Sequence, residues 1–245
     1  MVRACVIFIL VGQMLVAAVS AADSLQATEP SYDGRALSAW VKDLPVPRDF
    51  EATEEYATNA AVVAVRKIGT NALPDLLRWF QKPDSVKRMD ADLGLIFLGD
   101  SAKPRIPELT KLLNDSELSD DVAIVLLRLG HDGVLALTNG LASTNWSVRA
   151  GTALSFCVEA ADDPKHSNDI AMIRFRQERN VALPGILGLL HDPKYEVGAA
   201  AAYALRGFKP ESNIVVPALT RIANDTNVDF RVRRAATNSL SRLVE

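Results

Sequence analysis

The apolar positions of the chain recur in register with a series of prolines. Pro74 and Pro107 lie 33 residues apart, and so do Pro184 and Pro217. Apolar residues follow each proline at the second, fifth and sixth positions, a spacing that places them on one face of a helix. Each proline therefore introduces an amphipathic helix, because its missing N–H costs little in the first turn. The apolar residues are Leu76, Trp79 and Phe80; Leu109, Leu112 and Leu113; Ile186, Leu189 and Leu190; and Leu219, Ile222 and Ala223.

A fifth, weaker copy of this pattern is centred on Leu135, with Leu137 and Leu141 at the second and sixth positions. Leu135 and Pro184 are 49 residues apart, which is one period plus about 16 residues. The excess predicts an insertion in this repeat, at about residues 159–181.

A second type of helix precedes or follows each proline-led helix and contains small residues at intervals of three or four. Examples are Val148 with Ala153, Val197 with Ala201, and Val232 with Ala236. Glycines at positions 69, 99, 130 and 207 are placed to end helices in the left-handed backbone region. Aspartates eight positions after three of the prolines, at 115, 192 and 225, mark the turns to the next unit.

This pattern predicts an all-α protein, an α-solenoid (superhelix) of about five to six two-helix repeats. No segment favours a strand. The predicted helices span residues 34–43, 51–68, 72–81, 85–98, 104–113, 118–129, 132–142, 147–160, 168–178, 181–190, 194–206, 213–223 and 229–243.

The order Val-Arg-x-x-Ala, then Pro-x-Leu-x-x-Leu-Leu, then Asp resembles the HEAT repeat family over about residues 55–245. Within that family it is similar to the short Ala-rich phycobilisome-lyase-like HEAT repeats. The segment from Tyr32 to Trp40 resembles Tyr-x-Gly-Lys/Arg-x-Leu-x-x-Trp segments that precede the repeats in secreted bacterial HEAT proteins. The resemblance implies a solenoid whose second helices line a concave face. Some members attach bilin pigments, but the positions that match here are packing positions, so no catalytic residue is carried over.

The N-terminus has the features of an export signal. Arg3 precedes an apolar run that extends to Val19, and small residues follow at Ser20, Ala21 and Ala22. The domain prediction is therefore a signal peptide at 1–22, a linker with an N-terminal capping helix at 23–50, and a HEAT-like repeat domain at 51–245. The alternative is a retained membrane anchor, although the run is short for a membrane span.

Composition and charge narrow the possible partners. The chain of 245 residues is 49% hydrophobic and carries a formal net charge of −3. Such a weak negative charge disfavours nucleic acid as the main partner, and no membrane contact is expected after signal cleavage. The expected location is secreted or periplasmic.

No familiar catalytic or cofactor motif is present in the sequence. The predicted insertion contains Asp162, Asp163, His166 and Asp169, which are compatible with a metal site, a solvated loop or a loop that contacts a partner. The residues lack a recognised metal-loop spacing, and we assign no catalytic, cofactor-binding or metal residues.

The fourth position after each proline, and after Leu135 in the weaker copy, points away from the apolar face. These positions define a candidate binding row: Arg78, Lys111, Asn139, Gly188 and Arg221. Asp75 and Glu108 adjoin it. A polar row across stacked repeats is suited to a protein or peptide partner, although a solvated helix face has the same pattern. The main hypothesis is a non-enzymatic interaction or scaffold module outside the cytoplasm. The alternatives are a lyase-like or pigment- or ligand-handling protein with a pocket near residues 159–181, and an envelope-tethered structural protein.

We expect export to remove the first 21 or 22 residues, because the small residues before Asp23 fit the signal peptidase site. Mass spectrometry of the protein recovered from the native host should find an N-terminus at Ala22 or Asp23. An intact N-terminus in the membrane fraction would instead support the anchored alternative.

Overall fold

The computed structural model describes residues 29–46, 56–82, 84–115, 117–157 and 177–244. The predicted signal segment, and most of the predicted insertion, lie outside these residues. The described chain begins with a short antiparallel hairpin, β1 (Ser31–Tyr32) and β2 (Arg35–Ala36), and then helix α1 (Leu37–Val41). The helices that follow are α2 (Ala60–Ile68), α3 (Leu73–Phe80), α4 (Ser85–Leu98), α5 (Ile106–Leu112), α6 (Ser119–Arg128), α7 (His131–Thr138), α8 (Trp146–Ser155), α9 (Leu183–Leu189), α10 (Tyr195–Ala204), α11 (Ser212–Asn224) and α12 (Phe230–Val244).

The helices form two layers. Helices α2, α4, α6, α8, α10 and α12, here called the A helices, each pack against the next A helix along the chain. Helices α3, α5, α7, α9 and α11 are called the B helices. Four of them are the proline-led helices predicted from the sequence, and α7 is the weaker copy centred on Leu135. The described chain thus forms an α-solenoid of five A–B helix pairs followed by a sixth A helix, which confirms the predicted fold class.

The B helices bury the apolar face that the proline register predicts. The second-position residues of the five copies have no solvent-exposed area: Leu76, Leu109, Leu137, Ile186 and Leu219. Proline occupies the first turn of α3, α5 and α9, as expected for a residue without an N–H. In α11, however, Pro217 lies inside the helix, because this helix begins earlier, at Ser212.

Glycine allows very close packing between several helices. A Cβ on Gly133 of α7 would lie 2.0 Å from the carbonyl oxygen of Leu126 in α6. A Cβ on Gly198 of α10 would lie 3.1 Å from a methyl group of Val232 in α12. Glycine therefore sets how closely the two helices of one repeat approach at Gly133, and how closely consecutive A helices approach at Gly198.

Most of the glycines predicted to end helices, and the aspartates predicted to mark turns, have those roles. Gly69, Gly99 and Gly130 have φ values of 61°, 54° and 71°, in the region that favours glycine. Gly207 does not have positive φ, so its predicted left-handed cap is wrong; it lies in a 3₁₀ turn (Leu205–Gly207). The three aspartates have one shared role, since each accepts a hydrogen bond from the backbone N–H two residues later: Asp115, Asp192 and Asp225.

Arginines of the A helices connect neighbouring turns. Arg149 of α8 donates two hydrogen bonds to Asp192, of 2.7 and 2.9 Å, and one to the carbonyl oxygen of Ser143. Burial alone would raise the pKa of Asp192, but the Arg149 guanidinium and the Lys194 N–H outweigh it and lower that pKa. Arg88 of α4 similarly donates to the carbonyl oxygens of Lys82 and Glu117. These bonds connect one repeat with the next.

Some predicted boundaries are wrong at the N-terminal end. The chain forms a hairpin where no strand was predicted, and the helix expected over 34–43 begins only at Leu37. Asp33 and Gly34 both have positive φ, and this tight turn allows the hairpin to form. The helix expected over 51–68 begins at Ala60, because the Asn59 side chain accepts the N–H groups of Ala61 and Val62 and ends the preceding turn.

The two ends of the described array are covered differently. At the N-terminal end, α1 packs against α2 and α4 and buries Leu37 and Val41. At the C-terminal end, α12 has a polar outer face, with Arg234, Thr237 and Asn238 exposed. Both arrangements prevent exposure of the core at the end of a helical stack.

The packing predicts opposite effects of alanine at two glycines. Gly133→Ala should destabilise the fold by roughly 1–3 kcal/mol, because its Cβ would collide with the backbone of α6. Gly188→Ala should be neutral or stabilising by about 0.5–1 kcal/mol, because nothing lies within 4 Å of its Cβ and alanine favours a helix. Urea unfolding of both variants measures the difference; equal effects would contradict the close α6–α7 packing.

Candidate interaction surface

The predicted binding row is exposed along its full length. Its five members, Arg78, Lys111, Asn139, Gly188 and Arg221, all lie on the solvent-exposed surface of the B helices. Four lie within α3, α5, α9 and α11, and Asn139 directly follows the last residue of α7. One residue per repeat therefore reaches the same surface, here called the B-face row. Its role in binding stays a prediction.

A groove separates the first two B helices. Its volume is about 480 Å³, and its lining is Pro74, Leu77, Arg78, Gln81, Arg105 and Glu108. Arg105 forms an ion pair of 3.0 Å with Glu108, and Arg78 pairs with Asp75. The side chain of Arg78 remains 62% exposed, so its guanidinium has free donor positions toward the solvent.

A second cavity, of about 340 Å³, lies between α1, α3 and the first two turns of α4; we call it the cap cavity. Its lining is Glu29, Ser38, Val41, Lys42, Arg78, Trp79, Lys87 and Asp90. Arg78 thus contributes to both depressions. Burial raises the pKa of Asp90, Asp84 raises it further, and Lys42 opposes the shift.

The C-terminal half of the B face has a different character. Nη2 of Arg221 lies 3.4 Å from Nε2 of His191, which comes from the turn of the preceding repeat. Gly188 leaves open space. Gly185 does not, since its Cβ would lie 2.8 Å from a side-chain atom of Leu141 in the preceding repeat. Gly185 therefore serves helix packing, whereas Gly188 faces open space.

The most strongly shifted carboxyl group lies away from the B face. Burial raises the pKa of Asp92 in α4 to about 7, with Asp121 adding to the shift and Arg128 opposing it. Its Oδ1 receives no hydrogen bond from the described part of the chain. Burial also lowers the pKa of Arg128, against the effect of Asp92. Because these groups lie inside the A layer and line neither depression described above, we interpret them as internal polar packing.

The predicted insertion is only partly visible. Asp162, Asp163, His166 and Asp169 lie outside the described residues, so the alternative of a pocket near 159–181 is not tested. At its described end, Arg179 is fully buried and its guanidinium lies 5.0 Å from the ring centroid of Phe208. This end therefore packs into the array. Within the described residues, no three His, Cys, Asp or Glu side chains are grouped closely enough to hold a metal ion.

Sequence periodicity alone missed several residues of this surface. Lys42 directly follows α1 and Lys87 lies in α4, both outside the proline-led helices, and Arg105 lies before its helix begins. No repeat register connects these positions. The packing of α1 on α2 and α4, and of α3 on α4, places Lys42 and Lys87 in the lining of one cavity with Arg78.

Among the described helices, none has both the length and the apolar composition needed to cross a lipid bilayer.

No protein-family model and no curated protein matches the chain. Several solved structures of engineered proteins are similar in part. One engineered protein is 21% identical, with 85% of this chain and 96% of that chain covered and a TM-score of 0.41. A designed armadillo repeat protein is 16% identical, with coverage of 84% and 99% and a TM-score of 0.39. Another, determined in complex with a (KR)4 peptide, is 16% identical, with coverage of 84% and 99% and a TM-score of 0.40. The assignment of the fold therefore rests on the helices of this chain.

The buried Asp92 predicts a pH-dependent stability. A carboxyl whose folded pKa is about 7, above its unfolded value of 3.8, favours folding when protonated. The free energy of unfolding should therefore fall as pH rises from about 4 to about 7. Between pH 5 and pH 8 we expect a loss on the order of 2 kcal/mol, and Asp92→Asn should remove most of it. Urea unfolding at both values tests this. Asp33→Asn, at an exposed turn, is the control and should retain the wild-type pH dependence; an unchanged pH dependence in Asp92→Asn would contradict the assignment.

Proposed function

We propose that the chain is a non-enzymatic interaction module that binds an extended protein or peptide segment across its B helices. The observation that carries the proposal is the exposure of all five B-face row residues, one from each repeat. A row that crosses the repeats suits a ligand that also crosses them. A groove next to Arg78 gives such a ligand a depression to enter at one end.

The spacing of the repeats supports an extended ligand. Packed helices lie about 8–10 Å apart, and an extended chain rises about 3.3 Å per residue. One repeat therefore corresponds to about three residues of an extended chain, and the full row to roughly a dozen. About every third side chain of the ligand would then contact a row residue, and the ligand residues between would cross from one repeat to the next.

The charges along the row favour acidic residues in the ligand. Arg78, Lys111 and Arg221 are cationic, and Lys111 has no carboxylate within ion-pair distance in the described part of the chain. Asn139 and Gly188 between them are uncharged. Gly188 leaves room for a bulky ligand side chain, since nothing lies within 4 Å of its Cβ position.

We place this activity outside the cytoplasm, on the support of the positive start, apolar run and small residues of the N-terminal segment. The non-enzymatic assignment is supported by the nature of the row, which has cationic and amide side chains but no paired acid and base. Catalysis requires such groups to converge on one reacting atom.

A charge-reversal experiment tests the B face. The variant Arg78→Glu, Lys111→Glu, Arg221→Glu should lose at least about tenfold in partner affinity, because each ion pair becomes a repulsion. The matched control is Lys67→Glu, Lys194→Glu, Arg234→Glu, which changes the net charge equally at exposed positions in or beside the A helices.

A photo-crosslinking amino acid at Asn139 in each variant identifies the partner from a host extract by mass spectrometry. The reference is the same amino acid at Lys67 of the otherwise unchanged chain. We expect crosslinks from Asn139 that persist in the control variant and disappear in the B-face variant. Equal crosslinking from positions 139 and 67, or equal loss in both variants, would refute binding on the B face.

A further inference from the structure

His191 lies beside the B-face row, in the repeat whose row member is a glycine. It follows Gly188 by three residues, about one helical turn later, and its backbone N–H donates to the Gly188 carbonyl oxygen at 3.3 Å. Both residues are exposed, and nothing lies within 4 Å of the Cβ position of Gly188. This repeat therefore contributes an imidazole near the row in place of a row side chain.

The other repeats have no titratable group at the position of His191. The seventh residue after each of the other prolines, or after Leu135 in the weaker copy, is Gln81, Asn114, Ala142 or Asn224. Amide and methyl side chains keep the same charge at all pH values between 5 and 8, whereas an imidazole gains a proton as pH falls through this range. At this position of the repeat, only His191 has a charge that follows pH.

The imidazole contacts a cation of the next repeat. Nε2 of His191 lies 3.4 Å from Nη2 of Arg221, and a guanidinium can only donate hydrogen bonds. Nε2 is therefore the acceptor, which requires the neutral ring. Protonation would replace this hydrogen bond by a repulsion between two cations on neighbouring repeats. A negatively charged ligand group between the two side chains would remove that repulsion.

The positive charge around this pair is not neutralised by the fold. Within the described residues, no carboxylate lies within 4 Å of the charged nitrogens of Arg221 or Lys194. Asp225 directly follows α11 and accepts the N–H of Asn227, and it too lacks an ion-pair partner there. Two cations without an ion-pair partner are thus set against one such carboxylate.

The other carboxylates close to the imidazole along the chain act on different cations. Asp192, the next residue, accepts two hydrogen bonds from Arg149 of α8. Glu196 belongs to the first turn of α10, and its charge acts on Arg231, whose pKa Asp229 and, to a smaller extent, Glu196 both raise. Neither carboxylate therefore removes the excess of positive charge at the imidazole.

We propose that His191 and Arg221 together bind an Asp or Glu side chain of the ligand, and that protonation of His191 strengthens this binding. The partner is then an acidic protein segment that binds more tightly at acidic pH and is released more readily at neutral pH. The identification of the ligand as a peptide rests on the proposed function. The preference for a carboxylate and the pH dependence rest on the contact between His191 and Arg221.

A dodecapeptide tests the pH dependence. Acetyl-(Ser-Gly-Asp)4-amide has a carboxylate at every third residue, and the version with Asn in place of Asp lacks the charge. The amide resonance of Gly188, assigned with Gly188→Ala, reports binding by NMR titration. We expect a saturable shift with the Asp peptide only, and an affinity about threefold to fivefold higher at about pH 5.5 than at about pH 7.5. No saturable shift, or equal affinity at the two pH values, would overturn the proposal.

Two substitutions separate the charge of His191 from its shape. His191→Gln gives this repeat an amide like those of other repeats and should bind the Asp peptide equally at both pH values. His191→Lys is charged at both and should bind at about pH 7.5 as tightly as the unchanged chain at about pH 5.5. The control His131→Gln removes another exposed histidine, at the start of α7, and should keep the pH dependence. A pH dependence that persists in His191→Gln would assign the effect to other groups.

Substitutions elsewhere in the row separate this inference from the proposed function. Arg78→Glu, Lys111→Glu should weaken binding of the Asp peptide by at least about threefold without changing the ratio of the affinities at the two pH values. If this variant binds normally while His191→Gln removes the pH dependence, the extended row fails and the role of His191 stands. If this variant weakens binding while His191→Gln keeps the pH dependence, the role of His191 fails and the proposed function stands.

Discussion

The structure depends on an apolar layer that consecutive repeats must share. A single helix pair leaves part of its apolar surface exposed, and only a neighbouring element can cover it. The complete burial of the second-position residues in all five copies, from Leu76 to Leu219, is the result. The constraint also explains the two ends, where α1 covers one side of the stack and the polar outer face of α12 completes the other.

The shared apolar layer also fixes how the exposed positions of successive repeats line up with one another. Close helix contacts at Gly133 and Gly198 limit the distance between helices, and the bonds from Arg149 to Asp192 join consecutive turns. Residues at the same position of successive B helices therefore come to one surface. A ligand that crosses the repeats meets the same type of position about every three residues. The function proposed for the B face is thus a consequence of how the core packs.

The charged groups are distributed differently in the two layers. Within the A layer, Asp92 and Arg128 are largely removed from water, and the pKa of each is shifted by burial. On the B face, Arg78 keeps most of its side chain in solvent even though it pairs with Asp75. An exposed cation keeps its hydration on folding and gains little from a surface ion pair, so it remains available to a ligand. This difference is why we place binding on the B face and not at the most strongly shifted carboxyl group.

The sequence by itself determined the helix pairs, the buried face of each B helix and the exposure of the five row positions. These features depend on local spacing, since a period of 33 residues and a helical repeat are both readable along one chain. It did not determine the hairpin at Ser31–Ala36, the buried position of Arg179 or the packing role of Gly185. Only the tertiary structure decided the cap cavity, because Lys42 follows α1, Arg78 lies in α3 and Lys87 lies in α4. Their proximity results from the packing of α1 on α2 and α4 and of α3 on α4, and no periodicity links α1 to the repeats.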